Sequence, residues 1–239
     1  MIELPFDRML SYCADLAAHN DRTWFHANHG RYEEARKDFH ALLDQLRYVI
    51  AEGAPEIGGD ILYMNPRDWT YRIARDMRFY RDRPPYNPSF RAYISGDRKS
   101  WLPIGYFLSV APGNTLFGTG LFLEETAEIN RVRDYIAANL EDWERILTDG
   151  ELSLEGDRLK TVPRGYSPDH PAARWLAYKN WMAAFHFPDA ALGSFDDFSS
   201  EIASLLPRLE PFRKFLLSAG QSARSGGPVL PSGEKDWGW

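Results

Sequence analysis

The chain has 239 residues, of which 44% are hydrophobic and 14% aromatic, a composition that supports a buried core and excludes a disordered chain. The formal charge of −6 conceals one basic stretch. Arg67 to Lys99 holds nine Lys and Arg against four Asp and Glu, a local +5, which leaves the rest of the chain at −11. An acidic body with one basic patch argues against general coating of nucleic acid, because every other surface would repel phosphate, and it suits a small anion. Cys13 is the only cysteine, so neither an intrachain disulfide nor a thiolate metal cluster can form, and its neighbours Leu10, Tyr12 and Leu16 place it in the core. The N-terminal residues lack the pattern of a signal peptide, and no apolar run approaches the roughly 20 residues of a membrane span. The expectation is a cytoplasmic protein with no membrane partner.

Phe6, Met9, Leu10, Cys13, Leu16 and Ala17 recur at helical spacing and predict a first amphipathic helix ending near His19-Asn20. A second helix, capped by Thr23, carries Phe25, Tyr32, Phe39, Leu42, Leu43, Leu46 and Ile50 as far as Gly53-Ala54-Pro55, and pairs antiparallel with the first. From Trp69 to Phe122 the period changes to two. Strands are predicted at Trp69 to Ile73, Phe90 to Ile94, Ile104 to Val110 and Thr115 to Phe122, joined by antiparallel turns at Ser95-Gly96-Asp97 and Pro112-Gly113-Asn114. Glu125 to Leu147 returns to helical spacing and stops at Gly150. Short β-like pieces follow between Leu152 and Lys160, then a helix opened by Asp169-His170-Pro171, a strand at Trp181 to Phe187, and a last helix at Phe195 to Leu217 limited or kinked by Pro207 and Pro211. The order of helices, sheet and helices predicts an α+β fold: a mainly antiparallel sheet flanked by an N-terminal helix pair and C-terminal helices. Residues 1–219 are expected to form one domain, and residues 220–239 a flexible Gly/Pro/Ser-rich tail ending in Trp237 and Trp239.

The least ordinary segment is Tyr71 to Tyr86, where Arg72, Arg75, Arg78 and Arg81 stand three residues apart, followed by Arg83-Pro84-Pro85-Tyr86. Guanidinium forks bind planar anions through paired hydrogen bonds, so a dense run held by prolines suggests a preformed anion site. A strand would split these arginines between two faces, and a helix would wind them through half its circumference. Gathering them requires a chain that leaves the sheet near Asp76 and wraps as a loop, which Pro84 and Pro85 keep extended. On this reading the four arginines and Arg83 hold the anion, and Trp24, Tyr86 and Tyr106 line the pocket. Asp76 and Asp82 orient the arginines. Two alternatives stand beside it: an interaction module whose basic loop docks a protein or nucleic acid, and a purely structural network in which Asp76 and Asp82 lock the loop.

These residues resemble a family of bacterial and fungal proteins, domain of unknown function 2461. The resemblance rests on Asn20 with Trp24-Phe25, on Arg72, Arg75-Asp76, Arg78-Phe79, Asp82 and Pro85-Tyr86, and on Tyr106 with Pro112-Gly113. Arg164-Gly165 and Asp169-His170-Pro171 are also similar, so the match spans most of Phe6 to Leu217. The sequence departs from the pattern at Tyr80, where the family has serine, at Arg83 and Asn87, where it has lysine, and at Ala111, where it has an acidic residue. The resemblance implies one α+β domain and no established activity.

Other chemistry is weakly signalled. His26 and His29, with Glu33, have helical ligand spacing but lack the His-Glu-x-x-His arrangement, so no metal is assigned. His170, Asp76 and Asp82 are the candidates for acid–base work, His170 only if folding brings it to the arginines. Gly118-Thr119-Gly120 is too short for a dinucleotide fingerprint, and no cofactor is assigned. The sequence names no reaction, so whether the protein is an enzyme stays open, as does its oligomeric state.

Overall fold

In α1 (Pro5–Ala18) the residues Phe6, Met9, Cys13 and Leu16 are all fully buried, which is the stripe their spacing predicts. This computed structural model describes residues 5–78, 82–96 and 104–222. The second predicted helix is two helices. Asp21, rather than Thr23, caps α2 (Arg22–Ala27) by accepting the N–H of Trp24 at 2.9 Å, and the chain breaks at Asn28 before α3 (His29–Gly53) begins. The Asn28 side chain donates to the carbonyl of Trp24 at 3.0 Å, a local bond that competes with continuing the helix. α3 then buries Ala35, Phe39, Leu42, Leu43, Leu46 and Ile50.

Pro55 at the first turn opens α4 (Pro55–Tyr63), which the sequence leaves unmarked because Gly58 and Gly59 weaken its helical signal. Gly58 is there for closeness: a Cβ would sit 2.5 Å from the carbonyl oxygen of Ala51 on α3.

Five strands form one antiparallel sheet: β1 (Phe90–Ile94), β2 (Tyr106–Val110), β3 (Thr115–Leu121), β4 (Leu154–Glu155) and β5 (Trp181–Phe187), in the order β1-β2-β3-β5-β4. The strand predicted at Trp69 to Ile73 is not one of them. Trp69 ends a 3₁₀ turn (Pro66–Trp69) and is buried with its indole N–H donating to the carbonyl of Ser95 at 3.1 Å. Thr70 and Ala74 make only isolated antiparallel bridges, to Ala92 and Tyr86. Pro84, Pro85 and Pro88 have no N–H to donate, so the chain beside Ile73 cannot extend a ladder.

The long helix predicted from Glu125 is α5 (Thr126–Ala138) and α6 (Leu140–Asp149), broken at Asn139, whose side chain donates to the carbonyl of Tyr135 at 2.8 Å. Only a four-residue α7 (Ala173–Leu176) follows Asp169-His170-Pro171. The last helix, α8 (Phe195–Ser222), runs through both Pro207 and Pro211 and beyond the expected end at Leu217. An interior proline costs about 3 kcal/mol. Here the burial of Phe198, Ile202, Leu205, Leu206, Leu209, Phe212 and Leu216 offsets it. α8 packs on β3 and against α3, α5 and α6, so the main core lies between the helices and one sheet face. A smaller cluster of Phe107, Leu116 and Met182 occupies the other face. Among the described residues no helix is long and apolar enough to cross a membrane. Trp237 and Trp239 lie outside the described residues.

Candidate functional site

The extended segment after Trp69 is held between β1 and the proline-rich return. The N–H of Tyr71 donates to the carbonyl of Arg91 at 2.9 Å, the N–H of Asn87 to that of Ile73 at 2.8 Å, and the N–H of Arg75 to that of Pro85 at 2.8 Å. The Arg75 guanidinium donates to the carbonyl of Pro84 at 2.9 Å and also to that of Tyr86. Asn20 grips the same turn from α1's end, donating to the Tyr86 carbonyl at 2.9 Å and accepting its N–H at 3.0 Å. The Tyr86 ring is buried and stacks on Phe25 at 4.2 Å and 13°. Asn20, Phe25, Arg75 and Tyr86, all motif positions, therefore lock a loop to the helices.

The other arginines take other tasks. Arg78 is 82% exposed at its side chain and pairs with Asp76 at 2.5 Å, and its backbone N–H donates to the same carboxylate at 3.0 Å. These hydrogen bonds hold the Asp76 carboxyl at about 2, so it is a poor general base near neutrality. Asp82 and Arg83 are exposed, and Arg81, with Phe79 and Tyr80, lies outside the described residues. Of the described arginines of the run, Arg75 thus bonds loop carbonyls while Arg78 pairs with a neighbouring carboxylate.

Arg72 lines a hollow. This hollow, about 130 Å³ in volume, lies where Tyr32, Arg36 and Phe39 of α3 meet the extended segment and the start of β1. Arg72 and Phe90 line it, with Tyr71 and Arg91. The antiparallel bridge of Thr70 with Ala92 sets Arg72 opposite Phe90 and Tyr71 opposite Arg91. Alternation then turns Arg72 and Phe90 toward the helices, where Arg36 lies, and Arg91 and Tyr71 toward the reverse side. Arg91 is 4% exposed and its guanidinium lies 5.4 Å over the Tyr71 ring. Arg36 lies 5.4 Å over the Tyr32 ring, and it pairs with Glu33, just outside the hollow, at 2.6 Å. No carboxylate side chain lines the hollow. The hydroxyls of Thr70 and Ser89, also at its wall, donate to the carbonyl of Arg67 at 2.8 Å and to Asn87 Oδ1 at 2.9 Å. One turn along α3, burial and then the charges of Arg36 and Arg67 hold His40 below the ordinary imidazole range, and so neutral.

Trp24, Tyr86 and Tyr106, all expected in a pocket, do not line this hollow. Tyr106 is fully buried on β2 and donates to Glu210 Oε2 of α8 at 2.5 Å. Glu210 is gripped from the same helix by Arg213, at 2.6 and 2.7 Å, and Arg213 also reaches Glu56 of α4 at 3.3 Å. Burial and the adjacent Glu210 carboxylate push the Tyr106 phenol far above its ordinary value, so it stays protonated. Trp24 is half-buried between Tyr12, at 5.9 Å, and His19, stacked at 5.8 Å.

His170 also works locally. Its Nδ1 accepts the N–H of Ala172 at 3.1 Å before α7, and its ring stands edge-on to Tyr166 at 5.6 Å, whose hydroxyl donates to Asp134 of α5. His29 approaches Glu33 at 3.7 Å, and His26 packs on Phe25. Among the described residues no group of three or more His, Cys, Asp or Glu side chains is arranged to hold a metal ion.

The sequence reading missed Arg36, Arg91, Glu210 and Arg213. Glu210 and Arg213 had left a signal, charged residues set into the apolar stripe of Leu206, Leu209 and Leu216 at steps of three and four. Arg36 had none, since it stands among the ordinary surface charges Glu33, Glu34 and Lys37.

The fold and site define an α+β protein with an arginine-lined hollow beside a sheet edge. The family described as conserved hypothetical protein (DUF2461) matches residues 8–215, and the chain belongs to it. No curated protein and no solved structure matches the chain.

Proposed function

We propose that the protein binds a small phosphorylated or carboxylated molecule in the hollow, with Arg36 and Arg72 as its direct partners. The reading is carried by one observation: two guanidinium groups from separate segments line the hollow on its helix-facing side, with no carboxylate among the lining residues. Arg91, also in the lining with its guanidinium over the Tyr71 ring, adds positive potential, and Asn20, Arg75, Tyr86 and Phe25 hold the frame. Arg75 thus serves the structural alternative and Arg72 the ligand site.

The experiment is a thermal-shift and calorimetric screen of small phosphates and carboxylates against wild type, Arg36→Ala, Arg72→Ala and Arg78→Ala. Stabilisation should be present in wild type and Arg78→Ala and lost in the other two. Retention by Arg36→Ala and Arg72→Ala, or loss in Arg78→Ala alone, would move the site to the exposed loop and end this reading. Glu33→Gln, which removes the carboxylate competing for Arg36, should tighten anion binding several-fold.

A further inference from the structure

The hollow presents charge and little ring surface. Phe39 and Phe90 stand in its wall but are packed into the main core, 1% and 5% exposed. The cations come from three separate pieces of chain: Arg36 of α3, Arg72 of the extended segment and Arg91 of β1. Arg91 is 4% exposed, and a charge held out of water attracts an anion more strongly than one in solvent.

Size and donor pattern narrow the choice. At about 130 Å³ the space is smaller than the roughly 150 Å³ cavity that accepts one benzene, so it takes a head group and leaves the rest of a larger molecule outside. The hydroxyls at the wall are committed, Thr70 Oγ1 to the Arg67 carbonyl at 2.8 Å and Ser89 Oγ to Asn87 Oδ1 at 2.9 Å. The donors for an anion are therefore the arginines. A carboxylate has two oxygens in one plane and is filled by one guanidinium fork. A phosphoryl group spreads a charge of about −1.5 to −2 over three oxygens that point apart, and it accepts forks arriving from several directions.

Resting on the anion reading above, we infer that the hollow takes a phosphoryl head group in preference to a carboxylate, with Arg36 and Arg72 on separate oxygens. The ligand is inorganic phosphate or a phosphate monoester whose carrier group stays outside.

The test is calorimetry on the full chain in phosphate-free buffer of constant ionic strength, above the second phosphate ionisation at about pH 6. It compares inorganic phosphate and methyl phosphate with acetate and with malonate, whose two carboxylates match the phosphate charge. The phosphates should bind about tenfold more tightly than either carboxylate, the worth of one further charged hydrogen bond. Arg36→Ala and Arg72→Ala should lose phosphate binding. Arg36→Lys and Arg72→Lys keep the charge without the fork and should weaken it several-fold; they carry the test if the alanine variants lose native circular dichroism. Acetate or malonate binding as tightly as inorganic phosphate would overturn the phosphoryl class and leave the anion reading standing. Full-strength phosphate binding by the lysine variants would overturn the fork recognition on which the class rests. No binding by any probe, or phosphate binding unchanged in all four variants, would overturn both readings. Inorganic phosphate bound with methyl phosphate excluded supports free phosphate as the ligand, whereas methyl phosphate bound at least as tightly supports a monoester.

Discussion

The guanidinium of Arg91 lies 5.4 Å over the ring of Tyr71, and the N–H of Tyr71 donates to the carbonyl of Arg91 at 2.9 Å. Backbone and side chain thus tie the first part of the arginine run to β1 at one point. Tyr71→Leu removes the ring face and should lower stability by about 1 kcal/mol, whereas Tyr71→Phe keeps it and should cost much less. Urea denaturation of the two variants separates them; equal losses would assign the effect to the phenol hydroxyl.

Arg75 and Arg78 stand three residues apart in one motif and should behave oppositely. Arg75→Ala strips a donor from the carbonyls of Pro84 and Tyr86 and should cost about 1–2 kcal/mol. Arg78→Ala breaks an exposed ion pair and should leave the melting temperature unchanged within error. Thermal melts at matched ionic strength decide it, and a larger loss in Arg78→Ala would contradict the geometry.

The Tyr106, Glu210 and Arg213 network joins β2 to α8 in the interior. Arg213→Met leaves Glu210 buried without its main partner and should cost about 3–5 kcal/mol. Adding Glu210→Leu removes the orphaned charge and should restore much of that loss, because two well-packed apolar side chains avoid the desolvation of both ions. Chemical denaturation of the singles and the double measures the coupling directly. Simple additivity would mean that the pair is not coupled.

Stability should fall at both ends of the pH range, for separate reasons. Burial, as the largest cause, raises the phenols of Tyr12, Tyr93 and Tyr106 above their ordinary 10.0. The fold favours their neutral form, so this contribution is complete below pH 10 and is lost as pH rises beyond it. On the acid side, His40 is lowered from 6.5, first by burial and then by Arg36 and Arg67. The unfolded chain binds that proton more readily, so stability is complete above pH 6.5 and declines as pH falls through it toward the folded value. Urea titrations from pH 5 to 11, with tyrosinate absorbance, test both limbs, and His40→Gln should flatten the stretch just below pH 6.5.

The thiol of Cys13 is pushed up to about 12, chiefly by burial. It should therefore resist thiol reagents at neutral pH in the native state and react at once in denaturant. Rapid native labelling would show that α1 opens from the core.

What the sequence determined by itself was whatever depends on short-range pattern. Helical stripes such as Phe6, Met9, Cys13 and Leu16 marked a real element because their period reports the buried face. The aromatic and β-branched runs at Phe90, Thr115 and Trp181 marked real strands through residue type, β3 being buried on both faces. It missed the breaks at Asn28 and Asn139, where one side-chain hydrogen bond outweighs a continuous apolar stripe. It also expected two prolines to limit or kink α8, where burial along the whole helix overrides the local cost.

The candidate site divided along the same line. Residue type drew attention to the arginine run, but Arg72, Arg75 and Arg78 diverge within two turns of chain to a hollow, two carbonyls and a surface carboxylate. Arg36 joins Arg72 from 36 positions earlier only because α3 crosses the start of β1 and packs Tyr32 and Phe39 on Phe90. Which guanidinium groups face one another is set by the packing of helix on sheet, a long-range relation that local composition does not encode.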